Sequence, residues 1–343
     1  MSGSNTDKLT YYREIFLWNL EKNSTRVSTL QLAKDTLDYL RKVVNLGEYE
    51  NIEDAVKLLR KEGSIIYGFN KNEYVIRNMV LSVIKMMREQ WHRFKLGPEA
   101  ILNPYESLNK LWSEGDNNDK QINPEKLKEE TDSLIDELRE EMKLCSKNMS
   151  KQTINHILKT DTVITFKLNT ANTLKAFLQA ARKVHPNLNI IQVSDTEEIG
   201  SFENETISSC DVPDAMGKAT RVVISCAAVL ADGSCIAQSG TLSLCLAAKR
   251  HSVPVLVLCV PYKLTPRFMQ KSENFQIECN PMLAMEIKNL EAFENINVSS
   301  SIFDLIPADL ISLYITPTST VKSVHVSRLM GEYYHPEDLY GQD

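Results

Sequence analysis

The chain has 343 residues, of which 43% are apolar and 24% are charged, and its formal net charge is -6. The composition is typical of a soluble globular protein, and the length is more than one hydrophobic core usually fills, so two domains are expected. The acidic balance argues against a general nucleic-acid binder. No apolar run approaches the ~20 residues that span a bilayer, and the first residues lack a secretory pattern. We therefore expect a cytoplasmic protein of the cytosol.

Seven cysteines are present, and none of them forms a CxxC pair. Most lie in apolar runs that read as strand or helix, which is the usage of buried, reduced thiols rather than of a disulfide framework or a zinc site. We expect no metal and no cofactor.

The first part of the chain has a helical period. Within residues 74–91 the apolar side chains recur at steps of three and four, which predicts a broadly buried helix: Val75, Ile76, Met79, Val80, Val83, Met86 and Met87. Pro124 opens a second long helix with the same spacing at Leu127, Leu134, Leu138, Met142, Cys145 and Met149. Residues 1–157 are predicted to be an N-terminal helical domain.

The period changes near residue 160, where short β-branched runs begin to alternate with helices. This alternation predicts an α/β fold, with a Rossmann-like parallel sheet in a domain of residues 158–343. Such sheets bind ligands at the carboxyl ends of their strands. No GxGxxG follows a strand and no P-loop is present, so a dinucleotide or nucleoside-triphosphate site is not predicted.

Residues 228–259 combine an Asp232-Gly233 turn, the small-residue step Ser239-Gly240-Thr241, an apolar helix ending near His251, and a strand. Two interpretations of the helix start remain. Its backbone N–H groups could bind an anion, or Ser239 or Thr241 could simply cap the helix. His251 follows two basic residues at the helix end and has no acidic partner in the sequence, so a catalytic role is not predicted for it.

Residues 229–268, VLADGSCIAQSGTLSLCLAAKRHSVPVLVLCVPYKLTPRF, resemble the carboxy-terminal core of the alpha, beta and delta regulatory subunits of translation initiation factor 2B and of their sugar-phosphate isomerase relatives. Further resemblances favour the beta branch of that family, and they lie at residues 78–91, 176–183, 302–316 and 327–340. The resemblance implies a non-catalytic regulatory or scaffold subunit of a guanine-nucleotide exchange complex. It implies as partners the alpha, gamma, delta and epsilon subunits, and translation initiation factor 2 through its alpha subunit, whose phosphorylation the complex senses.

The isomerase relatives use three elements that can be sought here. Lys167 lies near the place of their cysteine, Ala227 at the place of their aspartate, and Ala237-Gln238 where they have Asn-Lys. Since isomerisation needs a positioned acid and base, no catalytic residues are predicted. Residues 194–220 are shorter and more polar than the family usually has, which predicts that a strand or a helix is trimmed there.

Nine residues are candidates for partner binding. Lys143, Lys147 and Lys151 recur every fourth residue and could form a basic ladder, or could merely complement the helix macrodipole. The others follow a strand or lie near the end of the sequence: Tyr262, Lys263, Arg328, Tyr333, Tyr334 and His335. The terminal aromatic cluster could pack on its own core or on a neighbour.

Two other functions remain as alternatives. One is an active sugar-phosphate isomerase, which the residues at positions 167, 227, 237 and 238 disfavour. The other is an alpha- or delta-type paralogue, or a metabolite-binding homodimer of the same fold.

Overall fold

The structure is a computed structural model that describes residues 5–23, 28–70, 73–96, 124–168, 171–194, 205–268 and 301–339. The chain divides into two compact units. The first comprises Met1–Lys143 and Tyr333–Asp338, and the second comprises Leu144–Glu332 and Leu339–Asp343. The expected domain boundary between residues 157 and 158 stays a prediction. It marks where the helical period of the sequence ends, whereas the two units are divided by their internal contacts.

The first unit is built from amphipathic helices, as the spacing predicts. They are α1 (Asn5–Asn23), α2 (Thr29–Leu46), α3 (Ile52–Phe69), α4 (Tyr74–Leu96) and α5 (Pro124–Lys151), of which α5 ends in the second unit. Side chains cap two of the helix starts: Ser28 Oγ accepts the Gln31 N–H, and Asn51 Oδ1 accepts the Asp54 N–H at 2.9 Å.

The predicted apolar stripes form the core of these helices. In α4 the seven predicted positions are buried except Met86, which is half-buried. In α5, Leu127 and Met142 are buried, whereas Leu134 and Leu138 are only half-buried and the neighbouring Ile135 is fully buried. The helical prediction is therefore confirmed, with the buried face of α5 turned slightly from the predicted one.

The second unit contains the end of α5 and the elements α6 (Thr153–His156), β1 (Thr162–Phe166), α7 (Asn172–Val184), β2 (Asn189–Val193), β3 (Glu205–Ile207), α8 (Val212–Met216), β4 (Arg221–Ser225), β5 (Ala228–Leu230), β6 (Cys235–Gln238), α9 (Thr241–Arg250), β7 (Val255–Leu258), β8 (Leu264–Thr265), β9 (Phe303–Ile306), β10 (Leu313–Ile315), β11 (Thr320–Val321) and α10 (Val326–Tyr333). A short helix α11 (Pro336–Leu339) follows, most of it in the first unit.

A seven-stranded sheet confirms the predicted α/β fold. Its order is β11-β10-β7-β4-β1-β2-β3, and all neighbours are parallel except β10 and β11. The inner strands are almost fully buried because helices cover a parallel sheet on both faces, which explains their unbroken β-branched runs.

A second, four-stranded sheet of order β8-β5-β6-β9 was not predicted from the sequence. Its strands have two to four residues each, too few to show a period. The expected Asp232-Gly233 turn joins the antiparallel strands β5 and β6, and Gly233 adopts φ 81° there.

The expectation that a strand or a helix is trimmed within residues 194–220 is wrong for the strand, and for a helix it stays a prediction. Strand β3 lies in this segment and pairs in parallel with β2 at Ile191–Glu205, Gln192–Thr206 and Val193–Ile207, and helix α8 follows it. Residues 195–204 lie outside the described part of the chain. The polar composition misled the sequence analysis because β3 is an edge strand with exposed side chains.

Among the described residues, none of the helices combines the length and the hydropathy needed to cross a membrane. Within the same residues no cluster of histidine, cysteine or carboxylate side chains is arranged to hold a metal ion.

Candidate functional site

The carboxyl ends of β1, β4 and β7 meet at one edge of the large sheet, where α/β folds bind ligands. Positions 227 and 237 lie next to this edge and carry only methyl groups. Ala227 donates its backbone N–H to Ile236 O at 2.7 Å, and Ala237 is fully buried in β6, paired with Asp304 of β9. The carboxylate expected of an isomerase at position 227 and the amide expected at position 237 are therefore both missing.

Lys167 follows β1 and has a strained backbone with φ 43°. Its ammonium donates to Ser239 O at 3.3 Å and lies 5.1 Å from the centroid of the Phe166 ring. These contacts hold the lysine between the end of β1 and the start of α9. The side chain contributes a fixed positive charge there, not a nucleophilic thiol.

A carboxylate of the chain itself faces the backbone N–H groups at the start of α9. Both Gly240 and Leu242 donate their backbone N–H to Asp304 Oδ2, at 2.7 and 3.1 Å. A carboxylate at this position satisfies two of the helix's unpaired donors and complements its dipole. These two donors are thus engaged by a residue of the chain itself and do not await an external anion.

The alternative interpretation, a cap from Ser239 or Thr241, is also wrong. The N-cap residue is Gly240, with φ 98° and no capping side chain, and the Thr241 hydroxyl instead donates to Gln238 O at 2.6 Å. Gly240 is required because a Cβ atom would lie 2.6 Å from the Phe166 ring. Sequence reasoning missed Asp304 because it lies more than 60 residues after the helix start that it caps.

Buried thiols line the same sheet edge, as the cysteine usage predicted. Cys226 and Cys259 directly follow the paired strands β4 and β7 and are 3% and 1% exposed. The pKa of Cys259 is raised by its hydrogen bond with Cys226 and by burial, so its thiol stays protonated. Lys263 donates its ammonium to the backbone oxygen of Cys226 at 2.6 Å. Lys263 is therefore engaged within the chain, and its proposed role in partner binding stays a prediction.

Tyr262 lies in a 3-10 turn, Pro261–Lys263, and is only 6% exposed. Burial raises the pKa of its hydroxyl group. In this conformation the ring packs inside the second unit, so little of it is offered to a partner.

The predicted partner-binding residues near the end of the sequence differ in their exposure. Tyr334 is 1% exposed and His335 is half-buried, and the Arg88 guanidinium lies 2.5 Å from His335 Nδ1 within the first unit. Tyr333 is half-buried, whereas Arg328 is exposed. Two of these side chains therefore pack on the chain's own helices, and Arg328 is the most accessible of the four.

The lysines of the predicted ladder are all exposed on α5. Lys143 forms an ion pair with Glu140, and Lys151 donates to Asn148 Oδ1 at 3.2 Å. Both contacts are local ones along the helix surface, so the three side chains can reach a partner. Whether they do so stays a prediction.

A family model described as the initiation factor 2 subunit family matches residues 206–322, which include both sheets' central strands and α9. Two curated relatives extend the likeness to nearly the whole chain. Translation initiation factor eIF2B subunit beta of Dictyostelium discoideum is 26% identical, with 95% of this chain and 96% of the relative aligned. Its counterpart from Schizosaccharomyces pombe is 19% identical over 90% of this chain and 92% of the relative.

Solved structures share the fold. The crystal structure of eIF2B beta from Chaetomium thermophilum matches with a TM-score of 0.73 at 18% identity, covering 98% of this chain and 94% of that chain. The tetrameric eIF2B-beta2-delta2 complex from C. thermophilum gives a TM-score of 0.70, also at 18% identity, with 95% of both chains covered. The 5-methylthioribose 1-phosphate isomerase of Pyrococcus horikoshii gives 0.58 at 11% identity, covering 95% of this chain and 87% of that chain.

The family match, the full-length likeness to beta subunits and the shared fold agree with one another. Residues 206–322 thus match the initiation factor 2 subunit family, and the likeness to beta subunits extends over nearly the whole chain.

Proposed function

We propose that the chain is a beta-type regulatory and scaffold subunit of the guanine-nucleotide exchange complex that acts on translation initiation factor 2. The observation that carries this proposal is the likeness to a beta subunit along almost the whole of both chains. The proposal includes a cytosolic location, assembly with alpha, delta, gamma and epsilon subunits, and a contribution to sensing the phosphorylated alpha subunit of the substrate.

The sheet edge supports a non-catalytic role. Where a sugar-phosphate isomerase needs an acid, a base and polar anchoring groups, this chain has Ala227 and Ala237, and the donors at the start of α9 are held by Asp304. Loss of one acid or base typically costs about 10²- to 10⁴-fold in rate. Isomerase activity is therefore not part of the proposal.

The second unit offers apolar surface suited to assembly. Several large apolar side chains there are exposed, among them Val324 at 80% and Leu246 at 51%. Assembly of subunits would remove such side chains from water. We propose that this unit carries the main assembly surface.

The test is co-expression of the chain with a delta-type subunit, followed by native mass spectrometry and sedimentation. We expect a stable complex of both chains, and we expect the double variant V324D/L246D to weaken it while leaving circular dichroism unchanged. The matched control is H325D/S243D, which places the same charges at neighbouring exposed positions that carry no large apolar side chain. A chain that stays monomeric with every regulatory subunit and turns over 5-methylthioribose 1-phosphate would refute the proposal.

A further inference from the structure

A groove in the first unit lies between α1 and α2 and has a cavity volume of about 400 Å³. Its floor is apolar and aromatic. Phe16 and Tyr39 stack there with ring centroids 5.2 Å apart and an interplanar angle of 26°, and Leu20 lies beside them. A cavity of this size holds a few side chains, and its aromatic floor favours flat or apolar groups.

A hydrogen bond to Glu62 fixes the position of the Tyr39 ring in this floor. The Tyr39 hydroxyl donates to Glu62 Oε2 at 2.6 Å, and Glu62 also pairs with Arg13 at 3.1 Å. Glu62 is only 3% exposed, so its charge is compensated by these two partners. The stacked rings therefore present a preformed surface, which lowers the entropy lost when a ligand binds.

The rim of the groove is predominantly acidic. It carries Asp35, Asp38 and Glu73 against a single lysine, Lys42, although Arg139 of α5 pairs with Asp38. The Lys42 ammonium lies 4.3 Å from the centroid of the Tyr12 ring, so one cation already sits over an aromatic face at this rim. Acidic side chains around aromatic rings favour a ligand that is both cationic and apolar.

An apolar strip on α1 continues from the groove. Ile15 lines the groove and is 38% exposed, and Tyr11 and Trp18, four residues before and three after it, are 61% and 58% exposed. This spacing places the three side chains on one face of the helix. The surface is therefore longer than the cavity and suits an extended or helical segment better than a small molecule.

We propose that this groove is a docking site for a basic, apolar segment of a partner protein. Apolar side chains of that segment fill the space above Phe16 and Tyr39, and an arginine or lysine side chain pairs with Asp35. Charge complementarity determines the choice of a basic segment, because an acidic one would meet three carboxylates in the groove. The proposal concerns the first unit alone and does not depend on the proposed function.

The test is a selection from a phage-displayed library of short random peptides against the full-length chain. The groove variant I15E/D35K changes exposed or half-buried positions and leaves the Arg139 partner Asp38 in place. The matched control, I65E/E129K, makes the same two chemical changes at exposed positions outside the groove. Fluorescein-labelled copies of the enriched peptides are then measured by anisotropy at low and high salt.

We expect the enriched peptides to combine arginine or lysine with apolar residues, to bind the groove variant at least about tenfold more weakly than the control variant, and to lose affinity with salt. Three results would overturn the proposal: no enrichment, enriched peptides that bind both variants equally, or peptides without basic residues. Displacement of the peptides by free arginine at equal concentration would show a site for a small cation instead.

Discussion

At the scale of single residues, Gly233 shows how the β5–β6 turn depends on a missing side chain. Its φ of 81° lies in the left-handed region, and a Cβ atom at this position would be 2.3 Å from the backbone oxygen of Ser323. Its own backbone oxygen accepts the Tyr314 hydroxyl at 2.9 Å. The turn is therefore fixed both by its own geometry and by a backbone segment that approaches it closely.

We predict that Gly233→Ala lowers the free energy of unfolding of the second unit by about 1–3 kcal/mol or more, because the new methyl group is strained and clashes with backbone. Chemical denaturation followed by circular dichroism measures this. Gly331→Ala in α10 is the control, since nothing lies within 4 Å of its would-be Cβ atom. That variant should be neutral or slightly stabilising. Equal stability of the two variants would contradict the assigned geometry of the turn.

Asp304 is the second residue whose role depends on a distant partner, the start of α9. We predict that Asp304→Ala destabilises the second unit by about 0.5–2 kcal/mol, since two backbone N–H groups lose their acceptor. Asp304→Asn should cost less because it keeps an acceptor oxygen, and its difference from the wild type should shrink with salt.

Urea denaturation of both variants at low and high salt checks this order. Asp214→Asn, at an exposed position of α8, serves as the control for removing one negative charge. If Ala and Asn were equally tolerated at position 304, the carboxylate would not be capping α9.

At the scale of elements, the segment Tyr333–Asp338 packs on helices that precede it by more than 200 residues. Asp338, with its side chain 1% exposed, pairs with Arg60 of α3, and Glu337 pairs with Arg88 of α4 at 2.7 Å. Tyr334 is buried alongside. Asp338 is buried but the Arg60 side chain is 50% exposed, so the pair stabilises less than a fully buried one would. The segment therefore stabilises the first unit, and loss of Asp338 should weaken it.

This segment predicts a pH dependence through His335. Its pKa is lowered, first because the ring is half-buried and then because Arg88 and His92 lie nearby, with Glu337 and Asp338 acting in the opposite direction. The unfolded chain then binds the proton more readily than the folded one, so stability is complete above the ordinary value of about 6.5 and falls as the pH drops below it.

Tryptophan fluorescence reports on the first unit, because among the described residues Trp18 and Trp91 both belong to it. We predict that the urea midpoint measured by fluorescence falls as the pH drops from neutral to below about 6.5, and that His335→Asn makes the slope shallower. His251→Asn, at an exposed position of the second unit, is the control. A variant with the wild-type slope would exclude His335 as the titrating group.

At the scale of the whole molecule, sequence patterns predicted the helices and strands whose apolar residues repeat at a regular local spacing. The period of three to four residues at 74–91 and the β-branched runs after residue 160 led to the helices and the parallel sheet, because each pattern extends over several turns or strands. The resemblance noted in residues 229–268 lies within the segment that the family model matches.

Features that depend on contacts between distant residues were not predictable in this way. Asp304 at the start of α9, Asp338 beside Arg60 and the aromatic floor of the α1–α2 groove each join residues that no local pattern connects. The buried state of Tyr262 and Tyr334 is of the same kind, since exposure depends on what covers a ring and not on the ring itself. The candidate site was therefore predicted only where single positions could be compared with the family.

The last prediction concerns Lys143, Lys147 and Lys151, which lie exposed at steps of four residues on α5. Exposed ion pairs are typically worth about 0–1 kcal/mol, so replacing all three by glutamate should leave the fold intact. If the ladder contributes to docking of translation initiation factor 2, as our proposed function has it, the reversed charges should slow encounter, and added salt should reduce the difference.

The measurement is nucleotide release from phosphorylated and unphosphorylated translation initiation factor 2 by the reconstituted complex at two salt concentrations. We expect the triple-glutamate complex to respond less to phosphorylated substrate, and we expect its difference from the wild type to shrink at the higher salt concentration. The control replaces Lys57, Lys61 and Lys183, three exposed lysines away from the ladder, so that the net charge changes equally. If the two variants behave alike, the position of the lysines on α5 has no influence on docking and only the total charge matters. The ladder would then be an ordinary solvated helix end whose lysines complement the helix dipole.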